Sequence, residues 1–482
     1  MSPKKTKAAK AAAKSLFRKD ENAYVSLKKT EERKLEAYCR QYMDFLSQAK
    51  TERKAHDLAV LEAKAQGFQD MDELRAAGTA LAPGAKVYRS CRGKTLFLAV
   101  VGNKPLAEGM HLVGGHTDAP RLDAKPNPIY EDSEMVLLDT HYYGGIKKYQ
   151  WVAMPLALHG VVVKPNGDTV AITIGEDLAD PVFVITDLLP HLGKDQAAKK
   201  LSEGISGEGL NILLASRPDA GAGDDVKEKV KSRLLGILNE KYGITEEDFA
   251  SAELEIVPAG PARELGLDTS MILGYGHDDR ICAYAGLRGL IDLDAIPEYT
   301  AGVLLCDKEE IGSVGATGMD STFFENSVAE LMALAEGGYD GLALRRCLER
   351  SRMLSADVNV LHDPNYPDVS SPNNAARINH GVAIAKYTGS RGKGGSSDAS
   401  AEFMAEIRRI FDAAGVAWQM AELGKVDQGG GGTIAMFLAR YGMDVVDCGV
   451  GVLSMHAPWE VASKLDTYMT YKAYRAFLAD AR

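Results

Sequence analysis

No stretch of this sequence approaches the roughly 18 uninterrupted apolar residues that a membrane span requires, so no membrane association is expected. The N-terminus also lacks the apolar core of a secretory signal. Six cysteines, Cys39, Cys91, Cys282, Cys306, Cys347 and Cys448, are scattered without any CxxC pair. That spacing excludes a zinc knuckle and a dithiol redox motif, and it makes a reducing compartment, the cytoplasm, the simpler expectation. Positive charge is not in excess: 56 Lys and Arg stand against 67 Asp and Glu, a net charge of −11. An acidic body without aromatic residues interleaved among basic ones argues against a nucleic-acid partner. The GxxxxGK[ST] phosphate loop is absent, although the basic RGKGGSS at 391–397 and the four glycines at 429–432 are rich in glycine. There is no internal repeat.

What is present is a chain of 482 residues, 45% hydrophobic and 26% charged. That composition is globular, and the length exceeds one ordinary core, so two domains are expected. Residues 1–20 are rich in Lys and Ala and bury too little to offset the entropy of ordering, which predicts a solvated basic tail, frayed or weakly helical. From Glu31 to about Lys64, Leu35, Tyr38, Cys39, Tyr42, Phe45 and Leu46 recur at helical spacing, predicting amphipathic helices over one face of a sheet. Short buried strands follow at 96–102 (LFLAVVG) and 111–115 (HLVGG). From about Asn127 the texture becomes that of antiparallel strands and turns, with Asn166-Gly167-Asp168 as a hairpin signal. Residues 127–262 therefore read as a smaller, mainly β domain inserted between catalytic segments 21–126 and 263–482. A terminal amphipathic helix is expected over about 459–478.

The most informative stretch is VLLCDKEEIGS at 303–313, an apolar strand pattern that ends in paired carboxylates and glycine. Ligands in open α/β sheets bind beyond the carboxyl ends of strands, which is where Glu309 and Glu310 fall. Other chemistry-bearing residues follow the same rule: His116 and Asp118 after 111–115, the Asp278/Asp279 pair before a helix-like run, Asp357 after 353–356, and His456 after 445–452. Taken singly, His116 reads as easily as a structural histidine, and Asp278 or Asp279 as a helix cap. Together, two histidines and three carboxylates form a nitrogen and oxygen set suited to zinc, or to cobalt or manganese. One carboxylate can bridge two ions, and the remaining glutamate is then free to accept a proton from water.

The ordered motifs GGHTDAP, GHDDRICA, DKEEIGS, SADV and MHAP resemble the M18 family of metalloaminopeptidases, the aspartyl aminopeptidase and aminopeptidase I group. The resemblance runs from about residue 30 to the end. It implies an α/β fold in which a zinc-peptidase-like mixed sheet flanked by helices is interrupted by a dimerisation domain, with dimers assembling into a dodecamer. It further implies two zinc ions per subunit, one held by His116 and Asp357, the other by Glu310 and His456. Asp278 would bridge them, with Asp279 as the alternative bridge. Asp118 would support His116, Glu309 would be the general base, and a histidine of the inserted domain would reach a neighbouring active site. His191 is the best match for that residue, ahead of His159 and His141. The implied substrates are short peptides that lose an N-terminal residue, acidic or neutral. An acidic preference needs a cation, for which Arg391, Lys393 and Lys386 are the candidates. Other readings of the same residues are a carboxypeptidase or amidohydrolase on this scaffold, and a non-catalytic assembly that metal merely stabilises.

Overall fold

A computed structural model describes residue 16 and residues 21–482 except residue 224. The expected tail over 1–20 lies outside the described residues apart from Leu16. Two helices, Lys29–Gln48 and Glu52–Ala65, open the described chain, and the first buries Leu35, Tyr38, Cys39, Tyr42, Phe45 and Leu46. These positions lie three or four apart, which places them on one helix face.

That face covers a nine-stranded mixed sheet. At its centre Thr300–Cys306, Met110–His116, Arg352–Ser355 and Asp444–Gly449 run side by side in parallel. Every residue of Thr300–Cys306 and Met110–His116 is buried, as expected of strands covered on both faces. Alternation by two sends Val303 and Leu305 into one apolar cluster with the helices His277–Ile291 and Lys464–Leu478. Leu304 and Cys306 point into a second cluster on the other face. The registers pair Cys306 with His116 and Ser355 with Gly114, so these strands end at one edge of the sheet.

A second, wholly antiparallel sheet of six strands carries its own core around Trp151, Leu158, Ile172 and Ile256. Its longest strand, Arg121–Asp132, begins ahead of the change in texture at 127. The hairpin around Asn166-Gly167-Asp168 forms, with Gly167 at φ +93° and the Asn166 side chain accepting the Asp168 amide.

A third sheet of five strands, which alternation alone does not reveal, contains Met271–Gly274, Glu460–Ser463 and Gly451–Leu453. The apolar run at 445–452 therefore divides, Asp444–Gly449 lying in the large sheet and Gly451–Leu453 in the small one. The terminal helix begins at Lys464 rather than 459, because Glu460–Ser463 pairs with Met271–Gly274 and Ser463 then caps the helix through the Asp466 amide. Among the described residues no helix is long and apolar enough to cross a membrane.

Leu304 is 2% exposed and lies in the strand that leads into the Glu309–Glu310 turn, paired with Phe97 on one side and with Gly114 of the His116 strand on the other. Leu304→Ala is expected to cost about 2–5 kcal/mol, read as a lower denaturation midpoint with an unchanged far-UV spectrum.

Candidate metal centre

The parallel strands deliver three parts of the site. His116 ends one strand, the Glu309–Ile311 turn follows another, and Asp357 follows a third. The small sheet supplies the rest: Asp278 enters from the irregular first turn of the helix His277–Ile291 that follows Met271–Gly274, and His456 from the turn after Gly451–Leu453. The site thus sits where two sheets meet, not at the edge of one.

Two small glycines permit the close approach. A Cβ at Gly449 would run into the carbonyl of Asp357, and one at Gly115 would stand 2.6 Å from Asp279 Oδ2.

Asp278 is the shared element. Its Oδ1 lies 3.2 Å from His116 Nε2 and its Oδ2 3.1 Å from His456 Nε2. Glu310 Oε1 is 3.5 Å from His456 Nε2, and Glu309 Oε2 is 3.9 Å from His116 Nε2. His116, Asp278 and Asp357 present ligand atoms within 4.8 Å of one another, as do Asp278, Glu310 and His456. Asp279 belongs to neither group and lies buried beneath Gly115.

The ring nitrogens away from this centre are engaged. His116 Nδ1 bonds the Asp118 carbonyl at 3.0 Å, and His456 Nδ1 bonds the Gly145 carbonyl at 3.0 Å. With Nδ1 so engaged, each ring presents Nε2 toward Asp278 as the nitrogen left to ligate a metal. The Asp118 carboxylate does more than stand beside His116. It accepts the backbone amides of Glu309 at 3.1 Å and Glu310 at 3.2 Å, and so pins the glutamate turn.

Burial together with neighbouring acids sets the charge balance. Burial pushes Glu309 up to about 7, and burial with the Asp278 charge raises Glu310 well above the carboxylate range. Asp357 is raised by burial and by Asp278 and Asp279. Asp278 alone is lowered, because the two imidazoles outweigh its burial. Asp278 Oδ1 and Glu310 Oε1 are buried without a well-directed hydrogen bond. Orphaned carboxylate oxygens facing imidazole nitrogens are a donor set that fits zinc.

The sequence reading missed Glu460. Its two oxygens accept the backbone amides of Asp278 at 3.0 Å and His456 at 2.7 Å, clipping together two candidate ligands from distant segments. Burial pushes its carboxyl up to about 8. Assigned to a helical first turn, it carried no signal; the four-residue interval after His456 was the only clue available.

Other expected site residues lie elsewhere. His191 is exposed on the turn at 189–193 and does not line the cavity beside the candidate ligands. His159 is buried against Glu176 and Lys54, and His141 bonds the Tyr142 carbonyl. Lys386 and Lys393 both pair with Asp398, and Arg391 shares an adjoining recess with Lys393. None of these three cations lines the roughly 210 Å³ cavity that opens over Asp278. Val358, Ala383, Ala385, Leu423 and Met455 do, with Asp447 among them.

The family model for the aminopeptidase I zinc metalloproteases (M18) matches residues 45–478. A probable M18 family aminopeptidase 1 of Clostridium acetobutylicum is 53% identical over 437 residues, 91% of this chain and 93% of that one. The crystal structure of an M18 aminopeptidase from Thermotoga maritima is 45% identical and superposes with a TM-score of 0.90, covering 96% of this chain and 99% of that one. The S. cerevisiae mApe1 dodecamer shares the fold, with a TM-score of 0.73 at 20% identity over 91% of this chain and 95% of its own.

If Glu460 holds the two ligand backbones in place, Glu460→Gln should weaken metal binding by the metal-free protein about 10- to 100-fold, read by titration against a chromophoric chelator. Unchanged affinity would leave Glu460 a purely structural acid.

Proposed function

The chain belongs to the M18 family of zinc metalloaminopeptidases, and from that premise we propose that it hydrolyses the first peptide bond of short peptides at a dinuclear zinc centre. The observation that carries this reading is Asp278, whose two oxygens each face a different imidazole nitrogen at 3.1–3.2 Å. In this reading His116 and Asp357 would hold one ion, Glu310 and His456 would hold the other, and Asp278 would be shared between them. Zinc, when bound, supplies a Lewis acid for the scissile carbonyl and lowers the pKa of water. Cobalt or manganese would suit the same donors.

Glu309 is the general base. It lies beside His116 without joining either three-residue group, and its carboxyl is raised toward neutrality by burial. It takes a proton from the attacking water and delivers it to the departing amine. Its orientation is held by Asp118, which bonds its backbone amide and the next.

The N-terminal residue accepted is neutral. The cavity beside the centre has aliphatic walls, and no lysine or arginine is among the described residues that line it. An Asp or Glu side chain there would face Asp447 without a countercharge, a burial that costs several kcal/mol.

Assembly completes the site. The mainly β segment at 127–262 is proposed as a dimerisation domain, and His191, exposed among Leu188, Leu189 and Leu192, is proposed to enter the active site of a neighbouring subunit and stabilise the oxyanion. Those leucines, each at least half exposed, are the kind of patch that a partner covers. A dodecamer, as for the yeast relative, is the proposed end state. All six cysteines are free, in keeping with a cytoplasmic location.

Glu309→Gln should retain two metal ions per subunit and lose at least about 100-fold in kcat; near-normal turnover in the metal-replete variant would remove Glu309 from this role. Leu-peptides should exceed Asp-peptides in kcat/KM by about 100-fold or more, and blocking the substrate amine should abolish hydrolysis. Equal turnover of Asp-peptides would overturn the neutral preference.

A further inference from the structure

The second sheet is not merely attached beside the metal centre. Its strand Met135–Tyr143 leads directly into Gly144 and Gly145, and all three residues at this exit meet the site. The Tyr143 hydroxyl donates to Asp118 Oδ2 at 2.8 Å, the carboxylate that also accepts the Glu309 and Glu310 amides. A Cβ at Gly144, where φ is +72°, would stand 3.3 Å from Glu310 Cβ and 3.3 Å from its Oε2, so the backbone passes close over that side chain. The Gly145 carbonyl accepts His456 Nδ1 at 3.0 Å.

These contacts reach both halves of the candidate centre by different means. A carbonyl opposite Nδ1 requires the proton there and leaves Nε2 free to ligate. A hydroxyl on Asp118 fixes the carboxylate that anchors the glutamate turn. Asp118 is fully buried, so removing one donor leaves an oxygen with no water to replace it.

The tyrosine is itself held. The Arg121 guanidinium lies 3.9 Å over its ring and pairs with Glu52, Asp123 and Glu255. Glu52 belongs to a helix covering the large sheet, whereas Asp123 and Glu255 belong to the second sheet. The ion cluster thus clamps the two sheets together where Tyr143 reaches across.

We infer that Tyr143 and the carbonyl of Gly145 are positioning elements of the metal centre, through which the second sheet sets the orientation of His456 and of the Glu309–Glu310 turn. Tyr143 touches neither metal nor substrate; it acts through Asp118. The inference rests on the dinuclear reading above, and its test keeps the two separable.

The test compares the full-length wild type with Tyr143→Phe, which keeps the ring under Arg121 and removes only the hydroxyl. Tyr142→Phe, one residue away and 42% exposed, serves as the control. Metal-free proteins are titrated with Co²⁺ while the visible spectrum of the bound ion is followed, and kcat, KM and the apo-protein melting midpoint are measured alongside. Tyr143→Phe should bind Co²⁺ about tenfold or more weakly with an altered spectrum. Its kcat should fall about tenfold or more with KM within about twofold, because the disturbed groups act in the transition state. The control should match wild type. Wild-type affinity, spectrum and kcat in Tyr143→Phe, or a loss confined to the melting midpoint, would overturn the inference. A wild type that takes up only one ion would defeat the dinuclear reading, while the same comparison at that ion still decides the role of Tyr143.

Discussion

The structure is organised by electrostatic repulsion that it does not relieve with its own cations. Asp278, Glu310, Asp357 and Glu309 converge in a largely enclosed site where, among the described residues, the imidazoles of His116 and His456 face them. Burying like charges this close is among the most costly arrangements a fold can make; the acids are relieved by taking up protons, as the raised Glu309, Glu310 and Asp357 carboxyls record, or by a positive ion at the centre. Much of the local architecture holds these acids in place. Parallel strands ending in register bring up His116, the glutamate turn and Asp357, and a second small sheet brings Asp278 and His456 from the other side.

The supporting contacts have a common logic. Four of the five candidate ligands, His116, Asp278, Glu310 and His456, are fixed from behind by a group with no direct part in the chemistry. The Asp118 and Gly145 carbonyls hold the two imidazoles, the Asp118 carboxylate holds the Glu309 and Glu310 amides, and Glu460 holds the amides of Asp278 and His456. Such outer contacts reduce the ordering cost at the moment of binding and fix which nitrogen is free. They also make the centre depend on the three larger sheets, because the Gly145 carbonyl comes from the exit of the second and Glu460 from the third.

The candidate ligands were legible in the sequence because each sits at or near the edge of an apolar run, and a carboxylate or histidine at such an edge is where α/β sheets place chemistry. The choice between Asp278 and Asp279 was not legible, since the two are adjacent and only the path of the chain into the helix separates them. Glu460 and Tyr143 were invisible for a different reason. Glu460 works through one amide 182 positions away and one only four away, and Tyr143 through a carboxylate 25 positions away, contacts that no local periodicity records. The basic loop is a different case. Lys386 and Lys393 are locally conspicuous, but both pair with Asp398, and charge counted along a chain does not reveal its partner. The small sheet went unread because its strands are short and one of them, Glu460–Ser463, precedes a helix whose periodicity extends back over it.

The central claim is that two cations share the carboxylate of Asp278. Anomalous diffraction from crystals of the zinc-loaded protein, recorded on both sides of the zinc absorption edge, tests it most directly. The account predicts two peaks roughly 3.5–4 Å apart, one beside His116 and Asp357, the other beside Glu310 and His456, with one oxygen of Asp278 reaching each. A single peak, or two peaks of which one lies out of reach of Asp278, would contradict it.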